Sequence, residues 1–322
     1  MFPIVSPAIP VTPADITPYR RGNTGIDYAT TLDSGRPGPH ALINGVLHGN
    51  EIAGAAAIAR LLRLGLRPAR GRLTLVLANT AAYHRFDPAH PYASRFLDED
   101  MNRLWDAGVL DGPRTSQELR RARLLRPLYE SADALLDLHS MGGESPPMIL
   151  CGMLPRGRDL ARRMGTPGWV VADAGHAAGR RLIEHGPFAA PGGGATAVLV
   201  ECGQHWRTET AAMAEAACLR FLLALDMLDG DRVPEPLAAG LAASPAPAQR
   251  FVTVTHTVTA ATARFGFTQP LAGMEIVPVR GTVIAYDGTE PVTTPYDDCV
   301  MIMPARRVQA RQTAVRLGYL ER

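Results

Sequence analysis

The sequence predicts an α/β protein: a mainly parallel mixed sheet flanked by helices, followed by a smaller β-rich C-terminal domain. Three observations carry this expectation. Up to residue 228, short apolar runs alternate with longer stretches of helical periodicity, as strands do when crossover helices join them. Beyond residue 229 the pattern changes to short runs divided by Gly and Pro, which reads as β structure. The chain has 322 residues and is 46% hydrophobic, enough for a real core and for two domains or one large one with an appendage. The expected division is residues 1–229, a linker at 230–250, and a β-rich domain at 251–322.

The elements follow in order. Residues 1–40 are rich in Pro, Gly and Thr and read as an extended lead-in with turns. The apolar run 41–47 reads as a buried strand. It stops at His48-Gly49-Asn50-Glu51, and a helical pattern begins at once and runs to residue 66. Residues 73–78 are the next strand, followed by a polar loop through Trp105. Residues 116–131 have helical spacing, with Ser116 as N-cap and Glu118 in the first turn. Strands are expected at 134–138 and 148–151, a helix at 158–164, a strand at 197–200 and a long Ala/Leu-rich helix at 208–228. The stretch 230–250 is Pro- and Ala-rich and reads as a linker. The runs 251–259, 275–279, 282–286, 300–303 and 313–317 read as tail strands.

Composition excludes several chemistries. All 33 basic side chains other than His are Arg, with no Lys anywhere. Schiff-base chemistry, a P-loop lysine and a Ser-Lys dyad are therefore impossible. A net charge of +2 gives no reason to expect nucleic acid or an anionic membrane as partner. Cys151, Cys202, Cys218 and Cys299 are scattered, without a CxxC pair, which argues against a disulfide framework and a Cys-rich zinc site. Residues 1–13 do not read as a signal peptide. No apolar run reaches the ~18 residues of a membrane span. The expected location is cytoplasmic.

The candidate chemistry lies just after the predicted strands. His48 and Glu51 follow the first, His139 follows 134–138, and Glu201 follows 197–200. In a parallel sheet these strand ends share one edge, where open α/β sheets bind ligands. Two imidazoles and a carboxylate can hold Zn²⁺ and leave a fourth position for water. A separate Glu can take a proton from that water and pass it to a leaving amine. That is amide hydrolysis, not redox chemistry. Each residue alone has a plainer reading: His139 as a hydrogen-bonded structural residue, Glu201 as a salt-bridged carboxylate. His205, four residues past Glu201, could face the same cleft. In the polar loop, Arg95, Asn102 and Arg103 could bind a substrate carboxylate. Alternatively, Arg95 and Arg103 pair with Asp98, Glu99 and Asp100.

The His48-Gly49-Asn50-Glu51 box, the Arg95…Asp100-Met101-Asn102-Arg103 box, His139 and Glu201 occur in an order that resembles the succinylglutamate desuccinylase/aspartoacylase family. This is a branch of the zinc carboxypeptidase-like fold. Gly22-Asn23-Thr24-Gly25 and Pro295-Tyr296-Asp297-Asp298-Cys299 extend the resemblance over most of the chain. The resemblance implies one Zn²⁺ per subunit on His48, Glu51 and His139, with Glu201 as general base and acid. It implies that Arg95 polarises the scissile carbonyl and that Asn102 and Arg103 clamp the substrate carboxylate. It implies a hydrolase of non-peptide amide bonds, acting on a small N-acyl amino acid, and a homo-oligomer. A metallocarboxypeptidase acting on short peptides is the alternative, and a non-catalytic zinc-bound binding protein is a third reading. One departure is plain. Residues 188–195 hold a triple Gly and none of the Arg that aspartoacylases use there on a second carboxylate. Arg180 and Arg181 are nearby substitutes. The family's tail-domain Tyr corresponds to Tyr286 or Tyr296.

Overall fold

The structure, a computed structural model, describes residues 9–229, 233–243, 246–305 and 308–321. A 3-10 turn at Thr17–Tyr19 precedes β1 (Ala29–Asp33), β2 (His40–Gly45), α1 (Ile52–Arg63), β3 (Arg72–Leu77) and α2 (Thr80–Tyr83). A 3-10 turn at Met101–Arg103 leads to α3 (Ala107–Leu110), α4 (Gln117–Glu130), β4 (Ala134–Met141), β5 (Met148–Leu150), α5 (Pro155–Met164) and β6 (Trp169–Ala172). After two further 3-10 turns come β7 (Thr196–Gln204), α6 (Thr208–Ala224) and α7 (Glu235–Ala242). The tail contains β8 (Arg250–Thr259), β9 (Phe265–Phe267), β10 (Glu275–Val277), β11 (Val283–Asp287), β12 (Glu290–Thr293), β13 (Cys299–Ile302) and β14 (Thr313–Leu320).

Eleven strands form one sheet in the order β1-β3-β2-β4-β7-β5-β6-β8-β14-β13-β10. Strands β3, β2, β4 and β7 are mutually parallel, while β1 and β5 run against their neighbours β3 and β7. From β8 onward the pairing is antiparallel. A separate three-stranded sheet, β12-β11-β9, belongs to the tail. All six residues of β2 and all eight of β4 are buried, because helices cover both faces of a parallel sheet. Successive residues serve opposite faces. Ile43 and Leu136 join the core under α1, α5 and α6. Leu42 and Leu135 join Trp105 and Tyr129 under α4. Ser116 caps α4 as expected, its Oγ accepting from the Leu119 N–H at 2.9 Å.

Seven helices and strands were not in the sequence reading: the short α2, α3, β9 and β12, and also β1, β6 and α7. Strand β1 lies in the lead-in; it is a half-exposed edge strand whose Ala-Thr-Thr-Leu-Asp sequence carries little apolar signal. Strand β6 has only four residues. Helix α7 lies in the Pro- and Ala-rich stretch and buries only Leu237, so no apolar stripe announces it. Among the described residues no helix is long and apolar enough to cross a membrane.

Candidate active site

The box after β2 is delivered by a strained turn. Val46 has φ 63°, a left-handed conformation that β-branched residues rarely adopt. Gly49 then passes where no side chain fits: a Cβ there would lie 2.4 Å from both Ala82 C and Ser94 O. Its N–H donates to Arg95 O at 3.0 Å, tying the box to the polar loop. Glu51 sits at the N-cap of α1. On the neighbouring strands His139 and Glu201 are register partners, so their side chains emerge side by side. Ligand atoms of His48, Glu51 and His139 all lie within 4.8 Å of one another, and all three residues are buried.

The donor set is oriented for a cation. Each imidazole turns Nδ1 to Glu51: His48 Nδ1 lies 2.7 Å from Oε1 and His139 Nδ1 3.0 Å from Oε2. Each gives Nε2 to an aspartate, His48 to Asp100 Oδ1 and His139 to Asp137 Oδ2, both at 2.9 Å. Asp137 in turn accepts from Asn44 Nδ2 at 2.7 Å, and Asn44 Oδ1 accepts from Tyr129 Oη–H at 2.7 Å. A carboxylate behind each ring is how metal-ligating histidines are held in tautomer and orientation. Burial works to raise the Glu51 pKa, yet His48 and His139 hold it well below the usual carboxylate range. Burial works to lower that of His139, yet Asp137 and Glu51 hold it well above the usual imidazole value. Both shifts express one preference, for positive charge at the centre of the three ligands. The residues present fit a divalent metal.

Glu201 is different. Its Oε2 is buried without a hydrogen-bond partner. Burial, and then the neighbouring Glu51 carboxylate, push its carboxyl up to about 8. Arg95 reaches the same centre, with NH1 3.2 Å from Glu51 Oε1 and NH2 3.2 Å from Asp100 Oδ2. The acidic patch therefore does engage Arg95, through Asp100. Asp98 and Glu99 do other work: Asp98 accepts from the Gln117 N–H at 2.7 Å, and Glu99 pairs with Arg114. The loop itself hangs from Glu118. Its carboxylate accepts from the N–H groups of Leu97 (2.7 Å), Asp98 (3.1 Å) and Glu99 (3.3 Å), and from Asn79 Nδ2 (3.1 Å).

A cleft of about 890 Å³ opens onto these residues, lined also by Asn102, Arg103, His205 and, from the tail, Met303, Pro304 and Arg316. Asn102 Oδ1 accepts from the Leu182 N–H at 2.8 Å, which fixes the amide and turns Nδ2 the other way. Arg103 lies 4.0 Å from Asp100, a loose pairing. Arg181 lines the cleft but is buried and held by Asp173 at 2.6 Å and by Glu184. Arg180 is turned to solvent with Asp106. His205 faces the cleft, its Nδ1 2.8 Å from Ser140 Oγ, and burial pushes its pKa down to about 4. Neither Tyr286 nor Tyr296 lines the cleft. Tyr286 is 47% exposed, and Tyr296 Oη bonds Thr255 Oγ1 at 2.5 Å. The tail's charged contribution is Arg316, beside the polar Thr313; sequence reasoning missed Arg316, as it missed Glu118 as the loop's anchor and Asp137 behind His139. For Asp137 a signal existed: an acid two residues before a candidate ligand on a strand points to the same side of the sheet.

Solved structures with this fold include succinylglutamate desuccinylase from Vibrio parahaemolyticus, at 18% identity, TM-score 0.62, and 92% and 87% coverage of this chain and that one. Succinylglutamate desuccinylase/aspartoacylase from Rhodobacter sphaeroides is similar at 20% identity, TM-score 0.63, and 91% and 88% coverage. The product-bound ectoine utilization protein EutE (DoeB) from Ruegeria pomeroyi is similar at 17% identity, TM-score 0.62, and 92% coverage of both chains. No curated protein matches the sequence. Residues 37–225 match the family described as the succinylglutamate desuccinylase/aspartoacylase catalytic domain. That span runs from the strand before the His48 box to the helix after Glu201, and the chain belongs to this family of deacylases.

Proposed function

We propose that this chain is a zinc-dependent amidohydrolase that removes the acyl group from a small N-acyl amino acid. His48, Glu51 and His139 would hold one Zn²⁺ per subunit. The observation that carries this reading is the pair of Nδ1 atoms turned to Glu51 with an aspartate behind each ring. When bound, zinc supplies Lewis acidity, lowering the pKa of a water from ~15.7 towards ~7 and polarising a carbonyl. Glu201 takes the proton of the attacking water and returns it to the leaving amine. Its unpartnered Oε2 leaves an oxygen available for that proton. The Arg95 guanidinium stabilises the charge that develops on the carbonyl oxygen. Asn102 Nδ2 and the loosely paired Arg103 bind the carboxylate of the amino acid. In this reading residues 1–229 carry the chemistry, and the tail from residue 251 walls the cleft through Met303, Pro304 and Arg316. That wall favours small substrates over the peptides of a metallocarboxypeptidase.

Metal analysis of the purified protein tests the reading. His48→Ala should lose zinc and amidase activity together; unchanged zinc and unchanged turnover would refute it. Glu201→Gln should retain zinc and lose ~10²–10⁴-fold in kcat. Dipeptides assayed beside N-acyl amino acids separate the carboxypeptidase alternative.

A further inference from the structure

The cleft has two chemically different ends. Around Arg103 gather His176, Arg181 and Arg316. Away from them, three rings meet: Tyr92 and Trp206 at 5.2 Å, His205 and Trp206 at 5.2 Å, and Tyr92 and His205 at 6.2 Å. Gly142 closes against this bay. A Cβ there would stand 3.3 Å from Tyr92 Oη and 3.6 Å from His205 Nε2. The inner two rings are fixed. His205 Nδ1 meets Ser140 Oγ, and the Trp206 indole donates to Asn50 O at 3.2 Å. Both residues are 3% exposed, whereas Tyr92, at 58%, is the outer wall. Glu144, two residues past Gly142, also lines the cleft and pairs with Arg207. Between the two ends lies the metal-ligand cluster: Arg103 faces Asp100, which meets His48, and Glu51 Oε2 accepts from the Ser140 N–H, whose hydroxyl meets His205.

Resting on the deacylase reading, the geometry points to the Tyr92–His205–Trp206 bay as the acyl subsite, which takes an uncharged acyl group and rejects one bearing a second carboxylate. An N-acyl amino acid with its carboxylate on Arg103 and its amide at the centre must send the acyl group to the opposite end. An uncharged acyl group packs there against ring faces and edges. A carboxylate on the acyl chain enters a bay whose walls, Tyr92, Gly142, His205 and Trp206, carry no arginine, while the nearby Arg95 is engaged by Glu51 and Asp100 and Arg207 by Glu144. Burying a charge without a partner is strongly unfavourable.

The test uses full-length, zinc-loaded protein and one amino acid acylated in parallel with acetyl, propionyl, benzoyl and succinyl groups. The uncharged substrates should exceed the succinyl one in kcat/KM by about 10²-fold or more, the discrimination expected when a group is left unpaired. Tyr92→Arg puts a cation on the exposed outer wall and should shrink that gap at least about 10-fold, chiefly through KM. Tyr92→Phe should preserve the gap. Succinyl turnover equal to acetyl turnover, or a gap indifferent to Tyr92→Arg, overturns the subsite while leaving the deacylase reading intact. Absence of turnover on every N-acyl amino acid overturns both.

Discussion

Glu118 offers a direct test of how the Arg95 loop is held. Its Oε1 accepts from Leu97 N–H and Asn79 Nδ2, and its Oε2 from Asp98 N–H and Glu99 N–H. The residue is fully buried, so water cannot replace it. In Glu118→Gln one oxygen becomes an NH₂ group that faces two donors. Two hydrogen bonds are lost, and each orphaned buried donor costs about 1–3 kcal/mol, giving roughly 2–6 kcal/mol in all. Glu118→Ala orphans all four donors and should lose more. Unfolding entropy near 60 °C is about 2.1 cal/mol/K per residue, or roughly 0.7 kcal/mol/K for 322 residues. A loss of about 3 kcal/mol should therefore lower Tm by about 4–5 °C. Scanning calorimetry measures that shift. Because the same loop carries Arg95, kcat on an N-acyl amino acid should fall while zinc content stays constant. A Glu118→Gln protein within about 1 °C of wild type in Tm, with unchanged kcat, would refute the reasoning.

Other consequences are equally open to measurement. Asp137→Asn cannot both accept from His139 and keep its bond to Asn44, and zinc affinity by competitive chelation should weaken about 10–100-fold. Gly49→Ala drives a methyl into the backbone of Ala82 and Ser94; chemical denaturation should show a loss of about 3 kcal/mol or more, and near-wild-type stability would contradict the packing described. His40 is buried between Ser131 O (2.9 Å) and Thr74 Oγ1 (2.7 Å), and burial holds its pKa below the ordinary value. Below about pH 6.5 the unfolded chain takes up a proton that the folded chain refuses. Stability should thus fall as pH drops from 7 to 5, less steeply in His40→Asn; parallel slopes of Tm against pH would count against the assignment.

Much of the site was legible because it is local. A strand that ends in His48-Gly49-Asn50-Glu51 announces two ligands at one turn, and the parallel αβ pattern already brings His139 and Glu201 to the same edge. The register of β4 with β7 then sets those two side chains abreast. Glu118 shows the opposite case. In sequence it is an acid in a helix's first turn, yet its partners lie about a helix length upstream in the polar loop and on Asn79. Strand β1 was missed because its pairing with β3, not its own apolar pattern, makes it a strand.

The chain by itself therefore determined the fold class, the family and the set of residues that could hold a metal, because periodicity and short motifs record local geometry. Tertiary structure alone decided which charges remain available. Arg181 is consumed by Asp173 and Glu184, neither Tyr286 nor Tyr296 lines the cleft, and Arg316 arrives from a strand more than a hundred residues beyond Glu201. Those outcomes depend on sheet register and on burial across the cleft, and neither is written in the spacing of any one segment.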